Sequence, residues 1–128
     1  MTQEPIAAPL VLVVEDDADA RDMYDVLLDG SGFRVASASN GLDGIDRARA
    51  LHPQLILMDL RLPAVDGLEA SRRLKAEPAT RDIPIIALSG NPVDDPAGER
   101  MFVATLLKPC LPDDLLAAIR RHVGEVHR

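Results

Sequence analysis

A single aspartate closes the most apolar stretch of the chain. Residues 55–58 are all apolar, Asp59 follows them directly, and the next segment ends at Pro63. A short apolar run bounded by turn residues is typical of a strand that is buried on both faces of a sheet. An isolated carboxylate is costly to bury. Asp59 is therefore either a cap for the following turn or a functional group that the strand holds in place.

Composition limits the classes of protein to which this chain can belong. Its 128 residues are 47% hydrophobic and 2% aromatic, which predicts one globular domain with an aliphatic core. We expect the domain over residues 9–124, with short tails at 1–8 and 125–128. The net charge of −7 argues against a nucleic-acid-binding surface. Neither a membrane-spanning run of about 20 apolar residues nor a signal peptide is recognisable, so we expect a cytoplasmic protein without a membrane partner.

Five apolar segments alternate with helical patterns. The predicted strands cover residues 10–14, 33–38, 55–59, 83–88 and 103–107. Alternation of this kind predicts the α/β class, with a (βα)₅ chain whose parallel sheet carries helices on both faces. The strand order expected for such a doubly wound five-stranded sheet is 2-1-3-4-5.

Helix boundaries follow from turn and capping residues. The first predicted helix carries an apolar stripe from Ala20 to Leu28, the second follows the turn at residues 40–41, the third follows Gly67, and the last opens at Pro112. The first ends at the glycines of residues 30–32, the second before Pro53 and the third near Pro78. Residues 91–98 contain two prolines and several acidic or amide side chains. The helix between strands 4 and 5 is therefore predicted to be short or irregular, over residues 97–102.

Polar residues stand at the carboxyl ends of four predicted strands, which is the edge where doubly wound sheets bind ligands. In chain order these residues are Glu15, Asp16 and Asp17, then Asp59, then Ser89 and Gly90, and finally Lys108. Two carboxylates 4 Å apart repel by roughly 4 kcal/mol at an effective dielectric constant near 20. Either one carboxyl group is protonated or a cation lies among them. One lysine cannot neutralise a cluster of several acids, and hard oxygen ligands suit Mg²⁺, so we predict a magnesium site.

This set of groups is suited to phosphoryl transfer. Asp59 would be the nucleophile that forms an acyl phosphate. Lys108 and Mg²⁺ would neutralise charge on the phosphoryl oxygens, and Ser89 would donate a hydrogen bond to one of them. Gly90 would leave space for the phosphoryl group to approach.

These motifs resemble those of response-regulator receiver domains of two-component systems, which have the flavodoxin-like fold of CheY. The similarity covers roughly residues 8–124 and lies at residues 13–17, 58–63, 66–67, 87–90 and 107–109, with 40–41 also in agreement. It implies that Asp59 accepts a phosphoryl group from a phosphohistidine on a sensor histidine kinase or phosphotransfer protein. It also implies that the protein catalyses its own phosphorylation and dephosphorylation, and that a downstream protein effector receives the signal. With no output domain in the chain, we expect a stand-alone receiver.

The resemblance assigns metal ligands. Asp16 and Asp59 would bind Mg²⁺ directly, Glu15 through a water molecule, and Arg61 through its backbone carbonyl. Asp17, one position beyond the acidic pair, is interpreted as the cap of the first helix.

The resemblance also assigns groups around the phosphoryl site. Ser89 and Lys108 would contact the phosphoryl group, and the Lys108–Pro109 peptide bond would be cis. The side chains of Arg61 and Asn91, two residues beyond Asp59 and Ser89, would tune dephosphorylation.

Two departures from the family pattern concern signal output. Family members often have an aromatic residue in strand 5 at the position of Thr105, and the segment between Ser89 and Lys108 is a few residues short. Both lie on the face that usually signals to partners, so we expect the output mechanism, rather than the phosphorylation site, to differ.

Two alternatives compete with this interpretation. A phosphohydrolase of the haloacid-dehalogenase class would use Asp17 as its nucleophile, with Asp19 following, but would leave Asp59 without a role. A receiver-like module could also bind partners without phosphorylation, although the complete acidic set argues against it.

Other polar residues are interpreted as structural. The histidines are expected to be solvated or to cap helix ends, the paired arginines to lie on solvated helix faces, and Cys110 to pack as an apolar side chain. These histidines and arginine pairs are His52, His122 and His127, and residues 72–73 and 120–121.

Overall fold

Strands and helices alternate along the chain. The computed structural model describes residues 8–92, 98 and 100–123. Over these residues the strands are β1 (Leu10–Val14), β2 (Arg34–Ala38), β3 (Leu55–Asp59), β4 (Ile85–Ser89) and β5 (Ala104–Leu107). The helices are α1 (Ala18–Gly30), α2 (Gly41–Leu51), α3 (Gly67–Ala76) and α4 (Pro112–Val123).

Some predicted features fall outside the described residues. The helix predicted over residues 97–102 includes residues 97 and 99, which are not among them. The same holds for residues 1–7, for residues 124–128 and therefore for His127. The irregular helix and the two tails accordingly stay predictions.

The sheet has the predicted topology. All neighbouring strands are parallel, and their order is β2-β1-β3-β4-β5. The strand order reverses between β1 and β3, where Val14 lies opposite Met58. The residues that follow these two positions, Glu15 and Asp59, are therefore brought to the same edge of the sheet. The α/β doubly wound fold is confirmed.

Three strands start one or two residues later than predicted, and β4 also ends one residue later, at Ser89 rather than residue 88. β4 starts at Ile85 rather than at residue 83, because the N–H of Ile83 closes a turn onto the carbonyl of Thr80 and Pro84 has no N–H to donate. β2 starts at Arg34 because the N–H of Phe33 donates to Leu28 and closes α1. β5 starts one residue later than predicted, at Ala104.

The core lies on both faces of the sheet. Alternate residues of β3 face opposite sides: Ile56 and Met58 pack with α2 and α3, while Leu55 and Leu57 pack with α1 and α4. All four are fully buried, which explains the uninterrupted apolar run. Among the described helices, not one has the length and apolar character that crossing a membrane requires.

Side-chain caps start three of the helices. Asp17 accepts a hydrogen bond from the N–H of Ala20 at 2.9 Å, as predicted for the first helix. Asn40 and Asp66 cap α2 and α3 in the same way. Such caps stabilise a helix by about 1 kcal/mol, and here they set where each helix leaves the sheet edge.

Candidate functional site

The carboxyl ends of β1, β3, β4 and β5 surround a cleft of about 370 Å³. Its lining consists of residues that the sequence predicted: Glu15, Asp16, Asp59, Arg61, Gly90, Asn91 and Lys108. Ser89 lies beside it and lines an adjoining cavity of about 340 Å³ together with Arg61 and Gly90. The structure thus brings the predicted groups together at one edge of the sheet.

Asp59 is held from both sides. Its carboxylate is buried, with 3% of the residue exposed. Oδ1 accepts a hydrogen bond from the backbone N–H of Arg61 at 3.0 Å, and Oδ2 lies 3.1 Å from Nζ of Lys108. A carboxylate offers about four lone-pair positions, so each oxygen keeps capacity for a further partner. The side chain of Asp59 is therefore oriented, while its oxygens can still accept further hydrogen bonds or bind a cation.

Lys108 also contacts the second buried carboxylate. Its Nζ lies 3.3 Å from Oε1 of Glu15, and Oε2 of Glu15 accepts the backbone N–H of Asp17 at 3.2 Å. One ammonium therefore lies between the carboxylates of Glu15 and Asp59. The peptide bond that follows Lys108, Lys108–Pro109, is cis, as the family pattern implied.

Burial and charge act on the two partners in different ways. Burial raises the pKa of Glu15 above its ordinary value; the N–H of Asp17 opposes this, and the neighbouring Asp59 reinforces it. Burial alone would lower the pKa of Lys108, but its contacts with Asp59 and Glu15 outweigh burial and raise it. Lys108 is therefore a firmly protonated cation at neutral pH.

Three carboxylates converge in the cleft. Glu15, Asp16 and Asp59 each place an oxygen within 4.8 Å of the other two. Glu15 and Asp59 are buried and Asp16 is exposed, so the cluster is reached from solvent on the Asp16 side. The ammonium of Lys108 stands opposite them, and the three acids, when ionised, carry more charge than this ammonium can balance. This set of hard oxygen donors fits a divalent cation such as Mg²⁺.

The loop after β4 is closed on itself. The hydroxyl of Ser89 donates to the backbone carbonyl of Asn91 at 2.5 Å, and the N–H of Asn91 donates back to the same hydroxyl at 3.2 Å. A Cβ atom on Gly90 would have no heavy atom within 4 Å. The phosphoryl contact of Ser89 stays a prediction, as do the Arg61 carbonyl as a ligand and the tuning roles of Arg61 and Asn91.

Thr105 lies in the middle of β5, opposite Ala87 of β4. It is partly buried, and its short side chain leaves this strand without the aromatic residue that the family often has there. The consequence for signal output stays a prediction.

Other candidates lie elsewhere. Asp17 caps α1 and is not a member of the carboxylate cluster. His52 is the C-cap of α2, with a left-handed backbone and its N–H donating to Ala48. Cys110 packs against the core cluster on the α1 and α4 side, and burial raises the pKa of its thiol. The arginines at 72–73 and 120–121 are exposed, as expected for solvated helix faces.

Two residues next to the site were not predicted. Arg21 of α1 donates hydrogen bonds to the backbone carbonyls of Glu15 and Asp16. Gly67, expected only to precede the third helix, lies against the backbone of Asp59. The place of Gly67 beside Asp66 in a family motif was a signal for its contact with Asp59. The sequence contains no local signal for the contact of Arg21 with the carbonyls of Glu15 and Asp16.

Comparison with known proteins identifies the family. Residues 11–120 match the response regulator receiver domain. The chain belongs to this family. It is 40% identical over 79 residues to the polar-differentiation response regulator DivK of Brucella ovis, a match that spans 62% of this chain and 64% of that protein.

Solved receiver structures agree with the fold. The receiver domain of a sensor histidine kinase from Pseudomonas aeruginosa PAO1 has a TM-score of 0.84 and 30% identity, over 92% of this chain and 99% of that one. That structure has a magnesium ion coordinated in its active-site cleft. Chemotaxis protein CheY4 of Vibrio cholerae, at 24% identity over 91% of this chain and 99% of that one, has a TM-score of 0.83 and supports the fold alone.

Proposed function

We propose that this receiver domain accepts a phosphoryl group on Asp59 in a Mg²⁺-dependent reaction and passes the signal to a downstream protein in the cytoplasm. The observation that carries the proposal is the arrangement around Asp59. Its buried carboxylate is oriented by the N–H of Arg61 and the ammonium of Lys108, and it shares a solvent-accessible cleft with two further carboxylates. A group placed only for stability would not need an acidic cluster beside it.

The donor is a phosphohistidine on a sensor histidine kinase or a histidine phosphotransfer protein. An oxygen of Asp59 attacks phosphorus, the P–N bond of the donor breaks, an acyl phosphate forms on Asp59, and the released histidine nitrogen takes up a proton. The N–H of Arg61 keeps the attacking carboxylate oriented, and Lys108 contacts the transferred oxygens. Hydrolysis of the acyl phosphate by water later returns Asp59 to its free form.

Asp16 and Asp59 would hold Mg²⁺ directly, with Glu15 acting through water and Arg61 through its carbonyl. When bound, the ion supplies positive charge for the phosphoryl oxygens. The excess negative charge of the carboxylate cluster supports this assignment, because Lys108 is shared between two of the three acids.

Phosphorylation would change the local charge and hydrogen bonding. It adds about −1.5 to −2 charges and strong acceptor oxygens at the end of β3. Ser89 would exchange its bond to Asn91 for a bond to the phosphoryl group. The loop after β4 would follow, shifting an existing equilibrium towards the state that binds the effector.

The alternative phosphohydrolase needs Asp17 as its nucleophile. Asp17 is instead exposed and accepts the N–H of Ala20 at the start of α1. A module that binds partners without phosphorylation would need no cluster of three acids facing one lysine.

One experiment separates these functions. The wild-type protein, Asp59→Ala and Asp17→Ala are incubated with a small acyl phosphate and Mg²⁺, and intact masses are measured. We expect a single phosphoryl adduct on the wild type and on Asp17→Ala, and none on Asp59→Ala. An adduct lost only with Asp17→Ala would favour the phosphohydrolase. No adduct on a wild-type protein that binds Mg²⁺ would overturn the proposal in favour of the binding module.

A further inference from the structure

Arg21 reaches back from α1 to the loop that carries the acidic pair. Its Nη1 donates to the carbonyl of Glu15 at 3.0 Å and to the carbonyl of Asp16 at 3.2 Å. Helical side chains tilt towards the amino terminus of their helix, so a long side chain in the first turn of α1 can cover the preceding loop. The backbone of Arg21 is itself fixed, since its N–H donates to Asp17 at 2.9 Å.

The two acceptors are consecutive carbonyls in the acidic loop. Because a peptide group is planar, fixing both carbonyls fixes the two peptide planes on either side of the Asp16 Cα atom. Glu15 has further restraints, since it is buried and contacts Lys108. Asp16 is exposed, and packing restrains it little, so the contact with Arg21 matters most for this residue.

We propose that Arg21 is a positioning residue for the metal site: it holds the loop between β1 and α1 in the shape that presents the carboxylates of Glu15 and Asp16 to a divalent cation. The inference rests on the proposed function, in that the cation is Mg²⁺. Arg21 acts through these two residues and through hydrogen bonds to their backbone, not through contact with the metal or the phosphoryl group.

The charge of Arg21 and its hydrogen bonds have opposite effects on metal binding. A guanidinium near the cluster repels a divalent cation, so loss of the charge alone would strengthen Mg²⁺ binding. Loss of the hydrogen bonds lets the loop adopt other shapes, which weakens binding. Removing a group that orients metal ligands typically costs 10–100-fold in affinity. The sign of the change in Kd therefore distinguishes the two effects.

The test is calorimetric titration of the full chain with Mg²⁺ alone, without a phosphodonor. Arg21→Met removes the charge and the donors, Arg21→Lys keeps an ammonium donor, and Arg34→Met is the matched control. Arg34 also donates from its side chain to a backbone carbonyl, that of Ala8 at 2.7 Å, but at the first residue of β2, the opposite end of the sheet from the cleft. Urea unfolding of each variant measures its stability separately.

We expect Arg21→Met to raise the Kd for Mg²⁺ roughly tenfold, Arg21→Lys to recover part of the loss, and Arg34→Met to leave the Kd unchanged whatever its stability. If Arg21→Met does not fold, Arg21→Gln is titrated under the same criterion. An equal or lower Kd in the neutral variant, beside normal wild-type binding, overturns this inference alone. A wild-type protein that binds no Mg²⁺ overturns the magnesium site and this inference together.

Discussion

A Cβ atom placed on Gly67 would lie 2.1 Å from the carbonyl oxygen of Asp59 and 2.6 Å from Cα of Leu60. Cβ atoms essentially never approach heavy atoms of non-neighbouring residues within 3.0 Å, so any other residue at the first position of α3 would force the helix and the end of β3 apart. The Asp66 cap fixes where this helix begins. The backbone that carries the proposed phosphoacceptor is thus in direct contact with a helix start.

We predict that Gly67→Ala lowers both stability and metal affinity. The added methyl group meets backbone that cannot rotate away, and overpacking of this kind costs about 1–3 kcal/mol or more. The displacement of Asp59 should also weaken Mg²⁺ binding. Urea unfolding and Mg²⁺ titration measure the two effects.

Gly30→Ala is the matched control, because a Cβ atom at this last residue of α1 meets nothing within 4 Å. Alanine has the higher helix propensity by about 1 kcal/mol, so this variant should be as stable as the wild type or slightly more stable. A Gly67→Ala protein with wild-type stability and Mg²⁺ affinity would show that the contact with Asp59 is easily relieved.

The grouping of Glu15, Asp59 and Lys108 could be anticipated from the sequence because parallel strands carry their carboxyl ends to one edge. A residue's place just after a buried strand then determines its neighbours in the fold. The Asp17 cap was equally predictable from the sequence, since it depends on four consecutive residues. The apolar run from residue 83 concealed the later start of β4, although Pro84, which has no N–H to donate to the ladder, was a visible signal against a strand start at residue 83.

The contact of Arg21 with the acidic loop had no counterpart in the sequence. An arginine in the first turn of a helix is ordinarily solvated, and only the path of the loop brings the carbonyls of Glu15 and Asp16 within its reach. The hydroxyl of Ser89 is similar: its position after β4 was evident, but its bond to the carbonyl of Asn91 depends on the turn that follows. Side-chain contacts with loop backbone depend on three-dimensional shape, which residue spacing does not encode.

Glu15→Gln should stabilise the metal-free protein while weakening metal binding. Burial raises the pKa of Glu15 above its ordinary 4.5, so folding favours the neutral form. Its contribution to stability is full below pH 4.5 and is lost as the pH rises through the raised pKa. Glutamine keeps a neutral side chain at every pH and can still accept the N–H of Asp17. The free energy of unfolding of Glu15→Gln should therefore rise relative to that of the wild type as the pH rises towards neutrality.

Urea unfolding from acidic to neutral pH measures this difference, and Mg²⁺ titration measures the cost, a loss in affinity of roughly tenfold. Glu69→Gln is the control, because Glu69 makes exposed ion pairs on α3 and its loss should change stability by less than about 1 kcal/mol. A Glu15→Gln protein less stable than the wild type at neutral pH would contradict the prediction.

The single tyrosine of the chain should report the charge of Lys108. Burial raises the pKa of Tyr24 above 10, the positive charge of Lys108 opposes this, and Glu15 and Asp59 reinforce it. With one tyrosine and no tryptophan, ultraviolet absorbance follows this group alone. We expect its midpoint to lie above that of the urea-unfolded chain, and Lys108→Met to move it further upwards.

Lys75→Met is the control for that titration, since Lys75 contacts the carbonyls of Arg81 and Ile83 near the start of β4. This variant should leave the midpoint of the Tyr24 titration unchanged. The stability linked to Tyr24 is full below pH 10 and is lost as the pH rises through the raised pKa. A midpoint that falls in Lys108→Met would show that the charge of Lys108 does not act on Tyr24 as described.

Ser89→Ala should slow phosphorylation without weakening Mg²⁺ binding. The hydroxyl now donates to the carbonyl of Asn91, and under the proposed function it turns to a phosphoryl oxygen as negative charge develops. Loss of one such donor costs on the order of a hundredfold in rate, whereas Ser89 is not part of the carboxylate cluster. Ser89→Thr keeps the hydroxyl and should stay close to the wild-type rate.

Asn91→Ala tests the Asn91 side chain independently of the Ser89 hydroxyl, because Ser89 bonds to the backbone of Asn91 and not to its amide group. This variant should keep the Ser89 contact and phosphorylate at nearly the wild-type rate, with its effect confined to the lifetime of the acyl phosphate. Rates of adduct formation from a small acyl phosphate, followed by intact mass, measure all three variants. Phosphorylation of Ser89→Ala at the wild-type rate would exclude the hydroxyl from the transfer step and limit Ser89 to closing the turn after β4.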